Sequence, residues 1–150
     1  MAGMGSRRRA REFVLQALFD ADSTSKPVTE ALDSLWEGLL DDTDGGLGGR
    51  PADSEEIEFA SQIALGVEET KEDLDRRLQE ASTNWRVSRM PFVDRNILRL
   101  GAFELLNLDK VPANVTINEA VELAKKYGTK ETKGFVNGLL DRIARDIGRL

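Results

Sequence analysis

The chain of 150 residues contains no cysteine and no histidine. The first absence rules out disulfides, thiol nucleophiles and thiolate zinc sites; the second removes imidazole general bases and the other common zinc ligand. No apolar run is long enough to span a bilayer, so no transmembrane helix is expected. The charged N-terminus has no apolar stretch behind it, so a signal peptide is not expected and a cytoplasmic location is. Alternation of apolar and polar residues does not persist anywhere, which argues against strands. Gly45, Gly46, Gly48 and Gly49 precede Pro51, but no Gly-Lys-Ser/Thr follows, so this is not a phosphate-binding loop. Neighbouring carboxylates such as Asp41-Asp42 and Glu68-Glu69 diverge around a helix and read as solvated charge rather than as metal or acid–base pairs. No enzyme activity, cofactor or metal is expected.

What the chain does have is an uneven charge distribution. The net charge of -6 divides into +3 over residues 1–19, -13 over residues 20–80 and +4 over residues 81–150. Basic ends around an acidic middle suggest an anion-binding surface drawn from both ends. Arg7, Arg8, Arg9 and Arg11 crowd into five residues at the front.

The periodicity is helical throughout, and hydrophobic residues at 40% are enough for a core. Helices are expected over 6–21, 28–40, from 54 into the Phe59, Ile63 and Val67 stripe, from the Thr70 N-cap to 81, over 92–108, after Thr116, and over the last stretch from Val136 to Ile147. A loop is expected over 41–54. Thr116 and Glu119 have capping-box spacing. The wide apolar arc of residues 92–108 marks the most buried helix, and Gly101 allows a neighbour to approach closely. Gly128 reads as a helix stop.

On the first helix Phe13, Val14, Ala17, Leu18 and Ala21 form a core stripe, and Phe19 points roughly opposite, on the side of Arg8, Glu12 and Gln16. Phe19 is either a solvent-facing ring or packed under the Ser23–Pro27 turn or on a neighbouring helix. Phe135, just after Lys130 and Lys133, is either the edge of the last helix's core face or a second ring of the same kind. Arginine neutralises phosphate and an exposed ring stacks on an unpaired base, so these pairs suggest a single-stranded nucleic-acid platform.

Several stretches together resemble one family. Val93-Asp-Arg-Asn-Ile-Leu-Arg-Leu100, Phe103-Glu-Leu-Leu106, Ile117-Asn-Glu-Ala-Val-Glu-Leu-Ala-Lys125, Tyr127-Gly128 and Phe135-Val-Asn-Gly-Leu-Leu-Asp141, with Arg7 to Glu12 and Gln16 to Phe19 at the front, are similar to the NusB family of bacterial transcription antitermination factors. The likeness covers nearly all of the chain except the 22–55 region. It implies a single all-α NusB-like domain of about seven helices, built as two small helical bundles packed together, with halves at 1–88 and 89–150. It also implies binding of single-stranded boxA RNA together with NusE, a ribosomal protein, within the RNA polymerase antitermination complex that serves ribosomal RNA transcription. Carried over by position, Arg7, Arg8, Arg9, Arg11, Gln16, Phe19, Lys133 and Phe135 would meet RNA, and Asp94 and Arg99 would face NusE. Four neutralised phosphates correspond to a log–log salt slope of about -3. The alternative is a detached NusB-like accessory domain related to the front of a ribosomal RNA cytosine methyltransferase. The homodimer question stays open.

Overall fold

The computed structural model describes residues 4–41 and 50–150. Most of the expected 41–54 loop lies outside the described residues. Seven α-helices and one 3-10 turn make up the described secondary structure, with no strand among those residues. The chain divides into two compact units, Met1–Glu68 and Glu69–Leu150. The expected division at 88/89 therefore moves toward the N-terminus. The reason is that the fourth helix, which a sequence reading attaches to the front half, packs against later helices.

The first unit holds α1 (Met4–Thr24), α2 (Val28–Asp41) and α3 (Ser54–Glu69). Phe13, Val14, Ala17, Leu18 and Ala21 are all buried, as the helical period requires. The Phe13 ring meets Trp36 of α2 edge to face, with centroids 5.5 Å apart. Ser25 turns the chain between α1 and α2 with a left-handed φ of 57°, and the Lys26 N–H closes the turn on the Ala21 carbonyl at 3.0 Å. The backbone N–H of Val28, at the start of α2, donates to Glu68 Oε2 on α3 at 2.6 Å.

Two expected caps change place. Thr116 and Glu119 do not form a capping box, because α6 already begins at Ala113, behind Pro112. Thr116 lies within that helix, buried, with its hydroxyl donating to Glu104 Oε1 at 3.5 Å. The reciprocal capping bonds occur instead at α3. There the Glu56 N–H donates to Asp53 Oδ1 at 2.8 Å, and the Asp53 N–H donates to Glu56 Oε1 at 3.0 Å. Thr70 does precede α4, but its side chain makes no capping hydrogen bond.

The second unit holds α4 (Lys71–Ala81), a 3-10 turn (Val87–Arg89), α5 (Phe92–Asn107), α6 (Ala113–Tyr127) and α7 (Thr132–Asp146). Every residue of α5 from Asn96 to Leu105 is buried, and α4, α6 and α7 pack on this helix. Three arginines tie elements of this unit together. Arg99 forks onto Asp75 of α4 at 2.8 and 2.9 Å. Arg142 donates to the Ala81 carbonyl at the end of α4 at 2.9 Å. Arg149 donates to the carbonyls of Leu105 and Val111, each at 2.6 Å. The bonds to Ala81 and Leu105 satisfy carbonyls that a helix end leaves without an internal partner.

Gly101 permits a close helix contact. A Cβ there would lie 2.6 Å from Leu140 Cδ1 of α7, which is fully buried and has nowhere to retreat. Gly128 ends α6 as expected, but through extended backbone (φ -92°) rather than a left-handed turn. Its close neighbour is Thr132, 2.6 Å from where a Cβ would sit.

Two glycine substitutions should move stability in opposite directions. Gly101→Val overpacks the α5–α7 contact and should cost about 1–3 kcal/mol. Gly138→Ala, on an exposed stretch of α7 with nothing within 4 Å of the new methyl, should add about 0.5–1 kcal/mol. Urea unfolding monitored by circular dichroism measures both.

Candidate nucleic-acid interface

The four N-terminal arginines fall into different environments. Arg7 and Arg8 are exposed, whereas Arg9 and Arg11 are buried. A helix turns 100° per residue, so four arginines in five positions cannot share one face. Arg9 is held on all sides. Its guanidinium lies 4.9 Å from the Phe13 ring centroid. It donates to Glu56 Oε1 at 2.9 Å and to the Pro51 carbonyl at 3.3 Å, and it also reaches the Arg50 carbonyl. Arg50 meets the same carboxylate, with Nη1 on Oε1 and Nη2 on Oε2, each at 2.9 Å. Glu56 is 1% exposed. Its charge is balanced by two guanidiniums and by its own capping bonds.

Arg11 is only 3% exposed and approaches the Phe59 ring of α3 at 5.5 Å, while Arg7, one turn earlier, lies over the same ring at 5.1 Å. Arg7, Phe59, Glu55, Glu58 and Gln62 border an open hollow of about 190 Å3. The expectation that all four arginines form a free arm is thus corrected. Arg9 and Arg11 join α1 to α3, and Arg7 and Arg8 stand outward. Gln16 is exposed, and Phe19 is 39% exposed. Of the two readings of Phe19, the solvent-facing one agrees with its exposure.

In the second unit Lys133 is exposed and Phe135 is half-buried. Phe135 borders a cavity of about 370 Å3 together with Trp85, Met90, Pro91 and Asp94. Trp85 is a large exposed ring that the sequence reading did not single out. Its signal was the polar stretch around it, Ser82 to Arg86, where an aromatic residue belongs to no helical stripe.

Asp94 and Arg99, expected on a partner-facing surface, are both buried. Arg99 completes its fork with a bond to Asn96 Oδ1 at 3.1 Å, so its guanidinium joins α4 to α5 instead of pointing outward. Asp94 Oδ1 accepts from the Thr132 hydroxyl at 3.1 Å, and that hydroxyl in turn accepts from the Thr129 N–H at 2.9 Å. Burial raises the Asp94 carboxyl above the ordinary aspartate range, and the Thr132 bond pulls it part of the way back. No group of acidic side chains among the described residues is arranged to hold a metal ion. Among the same residues no helix is long and apolar enough to cross a membrane.

Two predictions follow from these buried charges. Glu56→Ala takes the carboxylate away from the buried Arg9 and removes the Glu56 half of the α3 cap, and should cost about 3–5 kcal/mol in denaturant unfolding. Burial makes the Asp94 carboxyl hold its proton more tightly in the folded chain than in the unfolded one. Its stabilising contribution is therefore complete below its unfolded pKa, near 3.8, and is lost as pH rises through the folded value. Asp94→Asn keeps the acceptor for Thr132 without the charge. Wild type should lose stability relative to Asp94→Asn as pH is raised from acid to neutral, as followed by melting temperature.

Comparison with known proteins places this arrangement. The NusB family model matches residues 8–145. The transcription antitermination protein NusB of Sorangium cellulosum is 42% identical over 147 residues, covering 98% of this chain and 97% of that protein. The structure of T. maritima NusB superimposes with a TM-score of 0.80 at 36% identity, over 93% of this chain and 91% of that one. A crystal structure of the antitermination factors NusB and NusE in complex with dsRNA gives a TM-score of 0.81 at 24% identity, over 96% and 99% of the two chains. At that identity the likeness speaks for the fold alone. Family match, near-complete coverage and shared helical fold agree: the chain belongs to the NusB family, which includes these transcription antitermination proteins.

Proposed function

We propose that the chain is a non-catalytic adaptor in transcription antitermination that binds single-stranded boxA RNA together with NusE and joins an RNA polymerase complex on ribosomal RNA operons. The observation that carries this reading is the outward face of α1. Arg7 and Arg8 stand exposed near its start, and Gln16 and Phe19 lie exposed further along. Guanidinium, amide and ring are the groups that grip phosphate, base edge and base face of an unpaired strand. In the second unit Lys133 and Phe135 supply a further cation and ring.

Arg9 and Arg11 serve this surface indirectly. By binding Glu56 and Phe59 they hold α1 against α3, which keeps the exposed residues of α1 in place. In the same way Asp94 and Arg99 shape the NusE-facing side from beneath rather than making the contact. RNA and NusE partners also agree with family membership. The methyltransferase-accessory alternative has no observation in its favour, since relatives matched along nearly their whole length carry the antitermination name.

The test separates the two kinds of arginine. Joint replacement of Arg7 and Arg8 by alanine should weaken boxA RNA binding with helicity and melting temperature unchanged, whereas Arg9→Ala should lower the melting temperature. Phe19→Ala should cost about 1–3 kcal/mol of RNA affinity with little loss of stability. With Arg7, Arg8 and Lys133 as the phosphate contacts, the salt slope becomes about -2 rather than about -3. Gel-shift titrations with and without NusE, across a salt series, provide the readout. Unchanged affinity in the Arg7 and Arg8 variant at moderate salt would refute the reading.

A further inference from the structure

Arg9 is buried on a side of α1 that is otherwise exposed. It is a heptad before Gln16, so the two differ by only about 20° around the helix axis, and Arg8 and Phe19 lie within about 100° of it. Arg8, Gln16 and Phe19 are all exposed, whereas Arg9 is 9% exposed. The difference lies in what covers it. The Pro51 carbonyl accepts from Arg9 Nη1 at 3.3 Å, and the Arg50 carbonyl accepts from Arg9 Nη2. Residues 50–53 thus cross the Arg9 guanidinium as a strap.

The strap is lightly attached. None of residues 50–53 is buried and none belongs to a helix, so polar bonds rather than packing hold it. Segments with few buried apolar contacts open at low free-energy cost. Opening also leaves no buried charge stranded. Glu56 meets Arg9 through one oxygen, but it meets Arg50 through both, and it accepts from the Asp53 N–H as well. The long Arg50 side chain can keep this fork while the carbonyls of residues 50 and 51 turn away, so the carboxylate stays neutralised. The oxygens now set on Arg9, two carbonyls and a carboxylate, occupy donors that would otherwise serve the oxygens of a phosphate.

We infer that the strap of residues 50–53 is an autoinhibitory cover, which keeps Arg9 out of the phosphate-binding face of α1 and on opening adds it as a further phosphate contact. The inference rests on the RNA-binding reading above and adds to it an internal control of affinity.

Pro51→Gly combined with Ala52→Gly loosens the strap without changing any charge. Glycine widens the backbone conformations available, and loss of the proline also frees Arg50 before it. Asp53 and Glu56 keep their capping bonds. A labelled single-stranded boxA RNA is titrated with and without NusE, over a salt series, and followed by anisotropy. The proteins are wild type, the glycine variant, and the glycine variant carrying Arg9→Gln. The glycine variant should bind about three- to tenfold tighter than wild type at low salt, with a log–log salt slope steeper by about 0.7. Adding Arg9→Gln should abolish both gains.

Wild-type affinity and slope in the folded glycine variant overturn the cover. Weaker binding overturns it too, and makes the strap a support for α1. A gain that survives Arg9→Gln also overturns it, because another cation then supplies the contact. If circular dichroism shows the glycine variant unfolded, Ala52→Gly alone takes its place. If Arg9→Gln does not fold in that background, the change of slope carries the test. Each of these outcomes leaves the RNA reading intact, whereas failure of the wild type to bind the RNA at all overturns both.

Discussion

The first unit is organised around a buried carboxylate. Glu56 is shut away from water, and a bare charge there would cost several kcal/mol. It is tolerated because Arg9 and Arg50 both meet it and because it closes the cap of α3 on Asp53. The same interaction decides which arginines of the N-terminal cluster remain available for other work. One guanidinium is committed to Glu56 and another is sunk against Phe59, and the remaining two face outward at the start of the helix. A cluster that looks like a solvated arm in the sequence is thus half buried anchor and half exposed charge.

The second unit follows similar logic with different residues. Arg99 and Asp75 join α4 to α5 by a bidentate bond, the geometry in which a guanidinium gains most over an ammonium. This pair, with the Arg142 bond to the end of α4, explains why α4 belongs to the later helices. The segment that leaves α4 is then pinned by Ser82 and Gln79, which fixes the position of Trp85 beside the Phe135 cavity. Structural arginines, a hydrogen-bonded loop and an exposed ring form one chain of causes from packing to surface.

Much of the fold was legible before any coordinates. Helical period placed the α1 core stripe, the buried run of α5 and the close approach at Gly101, and all three hold. Spacing failed where two local solutions compete. Thr116 and Glu119 have the letters of a capping box, but Pro112 starts the helix a turn earlier, so the box falls inside it. Asp53 and Glu56 have the same spacing and do form the cap, because Arg9 and Arg50 draw the Glu56 carboxylate into place. The burial of Asp94 and Arg99 was equally hidden, since charge alone reads as surface until a partner 24 or 38 residues away is known.

The amino-acid sequence by itself determined the helical class, the family and the kinds of charged and aromatic group the chain carries, because period, composition and motif are local properties of the chain. Only the tertiary structure decided which of those groups are available. Whether an arginine binds a phosphate or a neighbouring glutamate depends on distances between residues far apart in sequence. Burial makes the internal partner the stronger competitor wherever water is excluded.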